Sequence, residues 1–228
     1  MAHITSTTLN FLKNLKENNN REWFQENKSL YEASHKEMIA FADELLLRLN
    51  QFDKIETVSG KKSLFRIYRD VRFSKNKLPY KTNRSGSFKR AGDDRRGGIY
   101  FSIEPGKSVI GGGFYQPNKD DLSLLRQQID VDASPLKKVL NSKTFRSYYG
   151  ELQGEQLKTS PRGFDIDHPE IDLLRYKNFY VMHEFSDSEV LAADFVSKVI
   201  DGYKKLMPFF DVMSLYLTTD LNGESILD

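Results

Sequence analysis

The chain has no cysteine. Disulfides, a thiolate nucleophile and cysteine-ligated zinc are therefore excluded, and a reducing compartment suits the composition. No apolar run approaches the length needed to cross a bilayer, and the opening MAHITSTTLNFLKNLKENN lacks the basic start and long apolar stretch of a secretory signal. These absences point to a soluble, cytoplasmic protein with no membrane partner. Histidine is scarce, with four in 228 residues, and His35 has no second ligand at i+4 as a helical metal site would require. No G-x-G-x-x-G opens a helix, no Gly-Lys-Ser/Thr follows a glycine loop, and no nucleophile elbow surrounds a serine. Internal repeats, low-complexity tracts and linker-like shifts in composition are missing too, so residues 1–228 read as a single domain, long enough to bury a substantial core.

What is present is charge, unevenly placed. The totals nearly cancel, 34 Lys+Arg against 32 Asp+Glu, yet from Lys61 to Arg96 there are 13 basic residues and three acidic ones. Such a segment attracts phosphate or nucleic acid while the molecule stays near neutral; it can equally pack against the acidic remainder of its own chain.

The centre of that segment is LFRIYRDVRFSKNKLPYK, residues 64–81. Its alternation predicts a strand, with Phe65, Ile67, Val71 and Phe73 on one face and Leu64, Arg66, Tyr68, Asp70 and Arg72 on the other. Arg69 breaks the first row. A guanidinium among core-facing side chains needs a carboxylate, a bound anion or an exit to water, which a bulge would give. Lys75, Lys77, Tyr80 and Lys81 follow in a loop holding Asn76 and Pro79. Asp70 can hold one or both of the Arg66 and Arg72 guanidiniums in a bidentate arrangement. The surplus arginine, with Lys75, Lys77 and Lys81, can then face a phosphate or carboxylate, with Tyr68 and Tyr80 offering a hydroxyl or stacking face.

Around this segment the periodicity predicts an α+β fold: a central, mostly antiparallel sheet with N-terminal and C-terminal helices packed on it. Helices are expected over Leu9–Glu17, after an Asn19 cap with Glu22 three residues on, and from Ser29 to Asn50, with Trp23 as a core or inter-helix anchor. A short strand is expected over Ser85–Lys89, then a mobile charged loop, RAGDDRRGG. A hairpin follows over Ile99–Glu104 and Lys107–Tyr115 about Pro105-Gly106, with Gly111, Gly112 and Gly113 marking curvature or a close approach. Later helices are expected from Asn118 or Asp120, from Ser134-Pro135, at Asp167–Glu170 and from Ser186, with a strand over Tyr180–Phe185. Pro208 bends the final helical stretch or restarts it.

Asp165, Asp167, His168 and Glu170 are metal-ligand types, but a capping role for Asp167 explains the same letters, so no metal site is assigned and no cofactor is named. A general base near the basic cluster is the missing part of any catalytic scheme; Asp70 and His168 are the candidates. The expected partner is a phosphorylated small molecule or nucleic acid held by Arg66, Arg69, Arg72, Lys75, Lys77, Tyr80 and Lys81, with protein partners unknown. The alternative is a non-enzymatic structural or protein-interaction module whose charged strand forms internal ion pairs.

Arg66-x-x-Arg69-Asp70-x-Arg72-Phe73, with Lys77 and Tyr80 following, resembles the defining motif of a family of bacterial and fungal proteins grouped as a conserved domain of unknown function. NNNREWF and PRGFDIDHPEIDLLRYK resemble its other characteristic stretches, so the likeness covers nearly the whole chain. It implies one full-length domain and draws attention to those charged residues; it brings no activity, cofactor or catalytic residue with it.

Overall fold

The computed structural model of the chain describes residues 3–227. Among them, ten helices and a four-stranded antiparallel sheet of order β1-β2-β3-β4 make an α+β fold, with helices before and after the sheet in sequence. The helices α1 (Ser6–Glu17), α2 (Arg21–Glu26), α3 (Lys28–Leu49) and α4 (Gly60–Ser63) come first. Next are β1 (Arg84–Lys89), β2 (Gly98–Ile103) and β3 (Ser108–Phe114), then α5 (Lys119–Val131), α6 (Ser134–Leu140), α7 (Lys143–Tyr149) and α8 (Ile171–Leu174). The chain ends with β4 (Phe179–Phe185), α9 (Asp187–Val190) and α10 (Phe195–Thr218). Two compact units emerge, one from Met1–Phe88, Tyr100–Ile110 and Glu184–Asp201, the other from Lys89–Ile99, Gly111–His183 and Gly202–Asp228.

In the first unit, Thr5 caps α1, whose apolar stripe Leu9, Phe11, Leu12 and Leu15 is buried, as are Met38, Phe41, Ala42, Leu45 and Leu49 of α3. Glu37 of α3 accepts from the hydroxyls of Thr5 (2.6 Å) and Thr8 (2.7 Å), tying the two helices at their polar edge. Trp23 stacks on Phe11 at 6.3 Å, the inter-helix role expected of it. The α2 cap, however, is Asn20, which accepts from the Trp23 N–H; Asn19 is buried and engaged elsewhere. Gly60 starts α4 because a Cβ there would collide with the α3 backbone at Asp43, whose carboxylate accepts from the Gly60 N–H at 2.6 Å.

The expected strand at Leu64–Phe73 is not a strand. The segment is an extended excursion that meets the rest of the chain at two isolated antiparallel bridges, Leu64 with Gly86 and Tyr68 with Tyr80. The bonds Arg69 N–H to Pro79 O and Lys81 N–H to Ile67 O, each 2.8 Å, close it into a loop with residues 70–78 beyond them. Ile67 alone of the four predicted inward residues is buried; Phe73 is 96% exposed. The alternation was real, but most of it has no second layer to pack against.

In the second unit, glycine at 111 avoids a collision with the Val181 carbonyl, so close backbone approach explains it. Asn118 caps α5 as expected, accepting from the Asp121 N–H. Asp167 does not cap a helix: α8 begins later, after Glu170, and the Asp165 carboxylate accepts from the Asp167 N–H in a local turn. Pro208 lies inside the continuous helix α10 rather than restarting it, flanked by buried Leu206, Phe209 and Phe210. The charged loop after β1 is pinned at its start, where the buried Arg90 donates to the Arg96 carbonyl at 2.9 Å and lies over Phe210 at 4.7 Å. In the first unit, Ser186 and Glu189 form the expected capping box at α9.

Candidate functional site

Tyr68 and Tyr80 face each other as a pair whose ladder bonds are made by their neighbours, so the peptide groups of Tyr80 turn away from the loop. They meet Asn19 in the first unit's interior. The Asn19 amide donates to the Tyr80 carbonyl at 3.0 Å and accepts from the Tyr80 N–H at 3.1 Å. The Tyr80 ring stacks on Phe24 at 4.1 Å, and burial raises its hydroxyl above the usual tyrosine range. Tyr80 is therefore the anchor by which the basic loop is fixed to the helices.

Beyond that anchor the loop is braced from within. Asp70 holds Arg72 bidentately, at 3.0 and 2.7 Å, and those hydrogen bonds keep its carboxyl below the ordinary range. Lys77 donates to the Val71 carbonyl at 3.0 Å. Asp70, Arg72 and Lys77 thus shape the loop, and Asp70 stays an ionised partner for Arg72.

The remaining basic residues have a different situation. Among the described residues, no carboxylate comes within ion-pair distance of Lys16, Arg66, Arg69, Lys75, Lys81 or Arg84. Arg69 and Lys81, each the residue that follows one of the paired tyrosines, line a groove of about 590 Å³ together with Lys16 of α1. Asn19, Asn83 and Tyr100 add amide and hydroxyl groups, and Phe65, 42% exposed, gives an open aromatic face with the Lys81 ammonium 5.5 Å from its centre. No carboxylate lines this groove. Burial first, and then the charges of Arg66 and Arg84, hold the Lys81 pKa below the usual lysine range.

Arg84 is the residue the sequence reading passed over. It is 1% exposed, bonds through Nη2 to His35 Nδ1 at 2.8 Å, sits over Tyr31 at 5.6 Å, and leaves its buried Nε without a partner. Since a guanidinium has only donors, His35 accepts through Nδ1 and is neutral there; burial first, then Arg84 and Lys61, push its pKa down. Its position at the start of a strand gave no sign of burial, because the residues covering it come from α3, nearly fifty positions earlier.

His168 belongs to the other unit. Its Nδ1 accepts from the Glu170 N–H at 3.1 Å, which places the ring proton on Nε2, donated to Asp130 at 2.8 Å. Both ring nitrogens are occupied. That unit also holds a depression of about 510 Å³, where Lys137 and Arg146 are balanced by Glu151, Glu170 and Asp172, a mixed lining unlike the all-cationic one.

An α+β protein with a preformed, carboxylate-free cationic groove is the class these features define. The chain belongs to the conserved hypothetical protein family DUF2461, whose model matches residues 7–212. Neither the comparison with curated proteins nor that with solved structures finds a match. Among the described residues no helix is long and apolar enough to cross a membrane.

Proposed function

We propose that the groove of the first unit binds a phosphate-bearing ligand, its phosphate seated between Lys16, Arg69 and Lys81. The observation that supports this most is that three cations line one concavity with no carboxylate in its wall and no ion-pair partner of their own among the described residues. Structural arginine networks are normally neutralised from within, and holding like charges together without a counter-ion costs free energy that a bound anion recovers. Arg66 and Arg84 raise the local potential without lining the groove. Arg72, counted among the ligand-binding residues on sequence grounds, contributes by holding the loop's shape, whereas Lys77, counted with it, braces the loop through the Val71 carbonyl and keeps an ammonium hydrogen for a ligand.

The reading is one of binding. Asp70 is committed to Arg72 and His168 has no ring nitrogen free, so no catalytic base is assigned. The test is calorimetric titration with pyrophosphate. Arg69→Ala and Lys81→Ala should each weaken it about tenfold or more, in line with charge-assisted hydrogen bonds of about 1.5–3 kcal/mol, while far-ultraviolet dichroism stays native. No measurable pyrophosphate binding by the wild-type protein at low salt removes the proposal. A second reading, a non-enzymatic module docking on an acidic protein surface, draws on Phe73, 96% exposed on a braced loop beside the Arg72 guanidinium.

A further inference from the structure

A second depression, of about 630 Å³, is lined by Arg21, Lys75 and Lys77 and shares Asn19, Asn76 and Leu78 with the first. The two therefore adjoin along these three residues, and together they make one track within a single unit. It carries six cations and no carboxylate in its lining. One phosphate, or a compact phosphorylated metabolite, would satisfy the three at one end and leave the other three facing water. A ligand matched to the whole track has charges repeated along its length.

Aromatic rings stand beside those cations. Phe65 and Tyr100 line the first depression with their rings 6.5 Å apart, and Phe65 keeps 42% of its surface open. Amide side chains, Asn19, Asn76 and Asn83, line it as well. A bare polyphosphate has no use for an aromatic face, and a duplex hides its bases. Repeated phosphates beside exposed rings are what a single strand presents, with bases free to stack.

We infer that this track binds a single-stranded nucleic acid, with its phosphates on the two groups of three cations and a base on Phe65. The inference rests on the phosphate site proposed above and extends it in length and chemistry. The experiment is fluorescence anisotropy with labelled dT15, U15 and dT3, set beside calorimetry with pyrophosphate and with polyphosphate of matched charge. Six phosphate contacts on a single strand give a log–log salt slope of about −4, so binding falls about 300-fold from 50 to 200 mM salt; three contacts give about −2 and a loss of about 15-fold.

The 15-mers should follow the steeper line and bind well above dT3. Arg21→Ala combined with Lys75→Ala, both exposed, should flatten the slope by about 1.4 and cost the 15-mer more than pyrophosphate. Phe65→Ala should cost the 15-mer at least fivefold more than it costs polyphosphate, the lower edge of about 1–3 kcal/mol for a stacked base. A shallow slope with no dependence on length, or equal affinity for polyphosphate and 15-mer in every variant, overturns the inference while pyrophosphate binding leaves the underlying site in place. Failure of pyrophosphate as well removes both.

Discussion

Replacing Asn19 with alanine strips two hydrogen bonds from the peptide groups of Tyr80 and supplies nothing instead. Asn19 is 9% exposed and Tyr80 5%, so water has little access to the orphaned N–H and carbonyl. An unsatisfied buried polar group costs about 1–3 kcal/mol, which puts the two together at about 2–4 kcal/mol once partial rehydration is allowed for. With an unfolding entropy of about 2.1 cal/mol/K per residue, a chain of 228 residues should melt about 4–8 °C lower. Asn19→Asp is the sharper partner to this variant. A carboxylate keeps the acceptor for the Tyr80 N–H but turns an oxygen toward the Tyr80 carbonyl and buries a charge, so its loss should exceed that of alanine. Urea unfolding followed by circular dichroism gives both numbers. A change below about 0.5 kcal/mol for Asn19→Ala, or an aspartate milder than the alanine, would refute the view that this amide fixes the loop to the helices.

Two further outcomes follow from Arg84 and His35. Arg84→Met removes a buried cation that has no carboxylate partner, so stability should hold or rise by up to about 2 kcal/mol while pyrophosphate affinity falls; a marked loss of stability would show the guanidinium to be a structural element. His35 is neutral in the fold and its pKa lies below the ordinary 6.5, so the unfolded chain binds the proton first. Its contribution is complete above that ordinary value and is lost as pH falls below it. The wild type should therefore lose more stability between pH 7.5 and 5.5 than His35→Gln does, and equal slopes in urea titrations at the two pH values would count against the assignment.

Much of the scaffold was legible because local rules governed it. Pro105-Gly106 marked a hairpin whose strands lie within a residue of their expected bounds, and Ser186 with Glu189 specified a capping box. The basic loop was misread because alternation signals a strand only where a neighbour completes the ladder, and here just a few backbone bonds do so. Asn19 was read as a cap because its interaction with Tyr80 spans 61 positions, beyond any local pattern. The candidate site was half visible. Charge density singled out Arg69 and Lys81, whereas Lys16 and Asn83 joined them in the groove only through tertiary packing, and the burial of Arg84 against His35 came the same way. Pro208 failed to stop α10 since aromatic and aliphatic burial on both sides outweighs one missing hydrogen bond.

The way the chain is shared between the two units has a consequence for its manufacture. Read from the N-terminus, the backbone changes unit five times, at residues 88, 99, 110, 183 and 201. During synthesis the first unit lacks its last stretch until residue 201 has left the ribosome, by which time most of the second has emerged too. Neither can be released by a single cut, and a premature stop codon anywhere before that point leaves both unfinished. Neither unit is therefore a continuous stretch of chain that one insertion or excision could transfer whole.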